Sequence, residues 1–166
     1  MGIFFSADEI FRIGMDVELN GRAFYEAAVE QSESEEAKAM LKHLGDEEVA
    51  HYETFSKMRE QLPPQAKTET VFDPDGQLSA YLKALADSRV FTNETQAAEV
   101  ARGCKTAADV LRVALGFEKD SVLMFQAMKE MTRADLGKEK IDGLIRSEKD
   151  HINSLSKALE QIENQG

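Results

Sequence analysis

The sequence predicts an all-α fold in which two long helical hairpins are joined by a partly helical connection, and three observations carry that expectation. Apolar residues recur at steps of three and four through four long stretches, no alternating strand pattern competes with them, and all three prolines fall in the connection. With 166 residues, 42% of them hydrophobic and 31% charged, the chain suits a single domain over 1–166 built around one core.

The elements follow in order. Ser6-Ala7-Asp8-Glu9 has the form of a capping box, so a first helix should run over 7–31 with Phe11, Gly14, Glu18, Gly21, Tyr25 and Ala28 on one face. Ser32-Glu33-Ser34 interrupts the pattern. A second helix over 35–61 carries Leu41, Leu44, Glu48, His51, Phe55, Met58 and Leu62, and Pro63-Pro64 stops it. So short a loop folds the two helices back as an antiparallel hairpin, 7–62. Residues 63–105 contain Pro63, Pro64, Pro74 and Gly76 but also two short helical segments, Gln77–Ser88 and Glu94–Gly103. Thr106 can cap a third long helix over 107–132, with Leu111, Ala114, Glu118, Ser121, Phe125 and Met128 in register. A fourth over 138–163 aligns Ile141, Leu144, Glu148, His151, Leu155, Ala158 and Ile162 and completes the second hairpin, 107–163.

Charge and cysteine usage narrow the function. The net charge of −11 repels phosphate backbones and anionic headgroups, which argues against nucleic acid and membrane partners. The one cysteine, Cys104, can form no internal disulfide and cannot supply a four-thiolate iron or zinc site. A reducing compartment suits it. The apolar start is too brief for a signal sequence and no run reaches the ~18 apolar residues of a membrane span, so a cytoplasmic location is expected. Met1-Gly2-Ile3-Phe4-Phe5-Ser6 also fits the loose myristoylation pattern, although Phe4 and Phe5 have an ordinary use as packing residues leading into the first helix.

The second hairpin restates the first at an offset of 100. Residues 11–62 laid over 111–162 without a gap pair Arg12 with Arg112, Glu18 with Glu118, Leu44 with Leu144, Glu48 with Glu148 and His51 with His151, besides several surface matches. The Glu and His matches lie in the apolar seam. An ionised carboxylate taken out of water without a partner costs several kcal/mol, so four on inward faces require compensation, and divalent metal is the compensation this pattern suggests. In Glu48-Val49-Ala50-His51 and Glu148-Lys149-Asp150-His151, the i and i+3 side chains leave one helix face about 5–6 Å apart. Glu18 and Glu48 both stand ~20 Å from the hairpin turn and are level, as are Glu118 and Glu148. The result is four carboxylates and two imidazoles, whose −4 matches two divalent cations and whose oxygen and nitrogen donors suit iron, manganese or zinc.

At Glu18, Glu48-x-x-His51, Glu118 and Glu148-x-x-His151, the sequence resembles the ferritin-like di-iron carboxylate superfamily, most closely its rubrerythrin-like branch. The resemblance covers both hairpins. It implies a ferritin-like four-helix bundle with one long crossover between the second and third long helices, which then run the same way. It further implies that Glu48 and Glu148 bridge two ions, with Glu18 and His51 terminal on one and Glu118 and His151 on the other. The chain departs from rubrerythrins in lacking a four-cysteine rubredoxin domain, so electrons would come from a separate donor such as a rubredoxin. It also has Ser121 where rubrerythrins carry an additional Glu, which leaves a six-ligand set more like the bacterioferritin ferroxidase centre. Bacterioferritins hold haem through a Met at the position of Val49, so no haem is expected.

Several residues have two readings. Small residues beside the ligands, Gly14 and Gly21 and, in the repeat, Ala114 and Ser121, either leave room for dioxygen or peroxide or let helices pack closely. Tyr25 faces the seam two turns after Glu18, where its phenol can bond a ligand and serve catalysis from beside the metals, or simply bond a backbone carbonyl. Glu47 competes with Glu48 as a ligand, and the repeat favours Glu48 because Ser147 stands opposite Glu47. His43, paired with Gly143, is expected on the surface, and Met124, Met128 and Met131 in the core. In the crossover Phe72, Tyr81, Leu82, Leu85 and Phe91 can cover the bundle or a second copy, and a homo-oligomer, most simply a dimer, is expected. The function these expectations favour is a non-haem di-iron oxidoreductase that reduces hydrogen peroxide or dioxygen as ferrous iron is oxidised. The alternatives are a non-catalytic iron or zinc binding or storage protein and a structural helical bundle.

Overall fold

The computed structural model describes Gly2 and residues 4–166; the myristoylation pattern depends on Met1 and Ile3, which lie outside the described residues. α1 (Ala7–Gln31) starts at the capping box, where the Ser6 N–H donates to Glu9 Oε2 at 2.8 Å and the Glu9 N–H to Ser6 Oγ at 3.2 Å. Three residues later α2 (Glu35–Glu60) opens on Ser34, whose hydroxyl accepts from the Ala37 N–H. Near its end, Arg59 donates to both oxygens of Asp8 in the first turn of α1 at 2.7 and 3.1 Å, which only an antiparallel hairpin allows.

The crossover holds three helices rather than two. Pro64 does not merely end α2; it occupies the first turn of a five-residue helix, α3 (Pro64–Thr68), where its missing N–H costs nothing. Backbone pairing of Ser6 with Thr70, and a Val71 N–H donating to the Phe5 carbonyl at 2.8 Å, then clip the chain beside the start of α1. α4 (Gln77–Ser88) follows Gly76, held at φ 65°, a conformation that favours glycine, and the Asp73 carboxylate accepts from the Ser79 N–H in its first turn. α5 (Glu94–Gly103) is capped by Asn93.

α6 (Ala107–Met131) begins with a second capping box, Thr106 and Asp109, and repeats the bounds of α1 at the offset of 100. A short 3-10 turn, Ala134–Leu136, leads to α7 (Lys138–Gln165). Arg112 and Glu163, 2.9 Å apart, close this hairpin as Arg59 and Asp8 close the first. The hairpins meet with α2 and α6 parallel. A side chain at Gly21 would meet both Glu48 and Phe117, while seven residues further along α2 the Phe55 ring packs on Phe125, 5.2 Å between centroids.

α5 packs on α1 and α4 on α6, so the crossover lies along the outside of the bundle. Leu82 and Phe91 are buried and Leu85 packs against the core, whereas Phe72, 90% exposed, and Tyr81 do not cover the bundle. Phe91 enters between the hairpins, its ring stacked at 4.9 Å on Phe24 and 5.0 Å on Phe117. Met124, Met128 and Met131 are core residues, His43 is exposed, and Phe5 packs on the core while Phe4 is largely exposed. Among the described residues no helix is long and apolar enough to cross a membrane.

Candidate metal centre

Each long helix contributes to one polar cluster at mid-bundle. α1 supplies Glu18, α2 supplies Glu48 and His51, α6 supplies Glu118, and α7 supplies Glu148 and His151. All four glutamates have zero exposure and both histidines 5%. Their side chains reach one another because each Glu-x-x-His lies on the apolar stripe of its helix, which packing turns inward.

The six residues form two overlapping groups. Glu18, Glu48, His51 and Glu148 offer ligand atoms all within 4.8 Å of one another, and so do Glu48, Glu118, Glu148 and His151. Glu48 and Glu148 belong to both. Glu148 reaches both imidazoles, with Oε1 2.9 Å from His51 Nδ1 and Oε2 2.9 Å from His151 Nδ1. The second approach is out of line for a hydrogen bond, so those two atoms stay unpartnered. Nδ1 of His51 is also 3.6 Å from Glu18 Oε2, and Nδ1 of His151 is 3.4 Å from Glu118 Oε1 and 3.6 Å from Glu48 Oε1. The rings lie nearly parallel, 5.7 Å apart. Glu47 is half-buried and in neither group.

Protein groups alone do not satisfy this cluster. Both oxygens of Glu18 and of Glu48, Oε2 of Glu118 and of Glu148, and Nδ1 of His151 are buried without a hydrogen-bond partner. Buried polar atoms in folded proteins are almost always paired, and seven orphans converging from four helices, all of types that ligate divalent cations, are what a two-ion site requires. The residues present therefore fit a pair of metal ions.

The electrostatics agree. Burial first, and then repulsion from the neighbouring carboxylates, pushes Glu18 and Glu48 well above the usual carboxyl range and Glu118 up to about 8. Glu148 goes the other way: burial raises it, but contact with His151 and His51 outweighs burial and holds it down at about 2. Burial disfavours protonated imidazoles, yet Glu118 and Glu148 raise His151 to about 10, and Glu148 raises His51. Without cations, bound protons neutralise the cluster.

Two residues hold cluster side chains from outside. The Tyr25 phenol, fully buried, donates to Glu118 Oε1 rather than to a backbone carbonyl. His51 Nε2 lies 2.9 Å from Ser147 Oγ, a contact sequence reading missed because a serine one residue before Glu148 carries no periodic signal. The volume beside the glycines is filled. A side chain at Gly14 would strike the Phe55 ring at 2.7 Å, and one at Gly21 would meet the Phe117 ring and Glu48 Oε2, so both glycines serve close packing rather than open space for an oxidant. A cavity of about 10 Å³, room for about one water, is lined by Val17, Asn20, Phe91, Phe117 and Ser121 among others.

A solved structure from Thermotoga maritima, provisionally described as a ferritin-like diiron-carboxylate protein, has the same architecture. The TM-score is 0.75 at 22% sequence identity, covering 96% of this chain and 98% of that one. No family model and no curated protein matches the chain. The chain thus has the ferritin-like four-helix fold, with its long crossover between α2 and α6 and a buried Glu/His cluster suited to two metal ions.

Proposed function

We propose that the protein is a non-haem di-iron oxidoreductase of the peroxidase or ferroxidase type. The observation that carries this reading is the pair of ligand groups sharing Glu48 and Glu148, with seven buried donor atoms unpartnered by protein. Glu18 and His51 would hold one ion, Glu118 and His151 the other, and Glu48 and Glu148 both. Two ferrous ions would supply the two electrons that, with two protons, reduce hydrogen peroxide to two waters or dioxygen to hydrogen peroxide.

The chain's own residues set the conditions. Glu48 and Glu148 keep the two positions close enough for one small oxidant to meet both. Tyr25 fixes the Glu118 carboxylate by its hydrogen bond, and from there it would serve catalysis by orienting that carboxylate or supplying an electron. The Phe24, Phe91 and Phe117 rings exclude bulk water from one side and the Phe55 and Phe125 rings from the other. Re-reduction by a separate carrier such as a rubredoxin, in the cytoplasm and in a homodimer, belongs to the same proposal. Iron is favoured for its redox chemistry; manganese and zinc suit the same donors.

The test is an anaerobic ferrous titration followed by stopped-flow mixing with oxygen and with peroxide. Two ions per chain and rapid appearance of ferric absorbance are expected. Tight binding with no oxidation on that timescale would point instead to iron or zinc storage, and failure to bind stoichiometrically would overturn the metal reading.

A further inference from the structure

The repeat makes the cluster look symmetric, but the contacts around it are not. His51 is held on both sides: Nδ1 faces Glu148 Oε1 at 2.9 Å, and Nε2 faces Ser147 Oγ at 2.9 Å. A hydrogen bond donated from Nε2 to the hydroxyl fixes the ring orientation, so that when a cation displaces the proton that Nδ1 donates to Glu148, the Nδ1 lone pair already points into the cluster. Ser147 is adjacent to Glu148, so the helix that brings the shared carboxylate also brings this support. Its counterpart in the other hairpin is Glu47, so the hydroxyl has no equivalent there. Among the described residues no side chain hydrogen-bonds Nε2 of His151, the atom that Ser147 holds in His51.

The terminal carboxylates differ in the same direction. Both oxygens of Glu18 are unpartnered and available to chelate a cation. Glu118 has only Oε2 free, because Oε1 accepts the Tyr25 phenol. One half thus combines an aligned imidazole with a carboxylate free at two atoms, and the other an unsupported imidazole with a carboxylate free at one. We infer that the two halves bind divalent cations unequally, the half built on Glu18 and His51 loading first and more tightly, with Ser147 as the residue that positions His51. This rests on the reading of the cluster as a two-metal site.

The experiment is an anaerobic titration of the full chain, stripped of metal by a chelator, with cobalt(II), followed by its visible absorbance against a competing chromophoric chelator. The parent protein should show two resolved steps. S147A should weaken the tighter step about 10–100-fold and leave the weaker one in place, the scale expected for losing an outer hydrogen bond to a ligand histidine. S147T keeps the hydroxyl and should restore the first step. Y25F, which frees Glu118 Oε1, should draw the second step toward the first. Two equal ions in a single step would overturn the inference, as would equal weakening by S147A and S147T or an S147A effect confined to the second step. A parent protein that binds no cobalt stoichiometrically would instead overturn the two-metal reading itself, a separate and visible outcome.

Discussion

Phe11, Phe55 and Phe125 on one side of the cluster, and Phe24, Phe91 and Phe117 on the other, are buried almost as completely as the four glutamates between them, none more than 3% exposed. The aromatic layers are complete in themselves, ring on ring at 4.9 to 6.4 Å. The carboxylate layer is equally dry and leaves most of its oxygens without partners. Burial alone therefore does not separate the part of a core that stabilises from the part reserved for a ligand; whether protein atoms satisfy the buried groups does.

That contrast can be broken in order of size. Phe55→Ala removes a ring that fills the space beside Gly14 and contacts Phe11 and Phe125, and should cost about 3–5 kcal/mol in chemical denaturation. A loss below about 1 kcal/mol would mean that the aromatic layer relaxes around the cavity. Glu48→Leu should have the opposite sign, stabilising the metal-free chain by about 1–4 kcal/mol because an unpartnered acid is replaced by a well-packed side chain. The same variant should lose the gain from metal, which in the parent reaches ~2.7 kcal/mol at a hundredfold excess over Kd. Destabilisation of metal-free protein by Glu48→Leu would show that the glutamates stabilise the fold on their own.

The pH dependence is smaller and also divides the two regions. Glu118 is raised from 4.5 in the folded chain to about 8, so folding takes up a proton there. Its contribution is full below the unfolded value and is lost as pH rises toward 8, and the thermal midpoint of metal-free protein should fall over that window. Saturating metal should remove this decline, and loading at neutral pH should release protons, measurable with an indicator in weak buffer. At the bundle surface Asp8 behaves oppositely. The hydrogen bonds from Arg59 lower it, so its contribution, below about 1 kcal/mol, is present above pH ~4 and is lost as pH falls through the lowered folded value.

Local rules made the long helices legible: capping boxes at Ser6 and Thr106, an unbroken period, and Pro63-Pro64 after α2. The six cluster residues could be nominated because acids and histidines recur on apolar faces at matching positions, and the structure brings all six together. Less visible were features set by contacts distant in sequence. Nothing local predicts that Val71 pairs with Phe5, that Phe91 inserts between Phe24 and Phe117, or that Ser147 supports His51 across the hairpins. Pro63-Pro64 signals a stop in the sequence, yet proline also suits a helix's first turn, and glycine positions alone do not reveal which ring fills the space beside them.

The cluster is split evenly between two hairpins that are each local in sequence, while the crossover that joins them must close a loop of some forty residues. Closing each hairpin costs less chain entropy than closing such a loop, and all four acids come together only where the hairpins dock. Their mutual repulsion then opposes that docking. Divalent cations, or protons at mildly acid pH, would act there as counterions for assembly, which gives the ligand a part in making its own site.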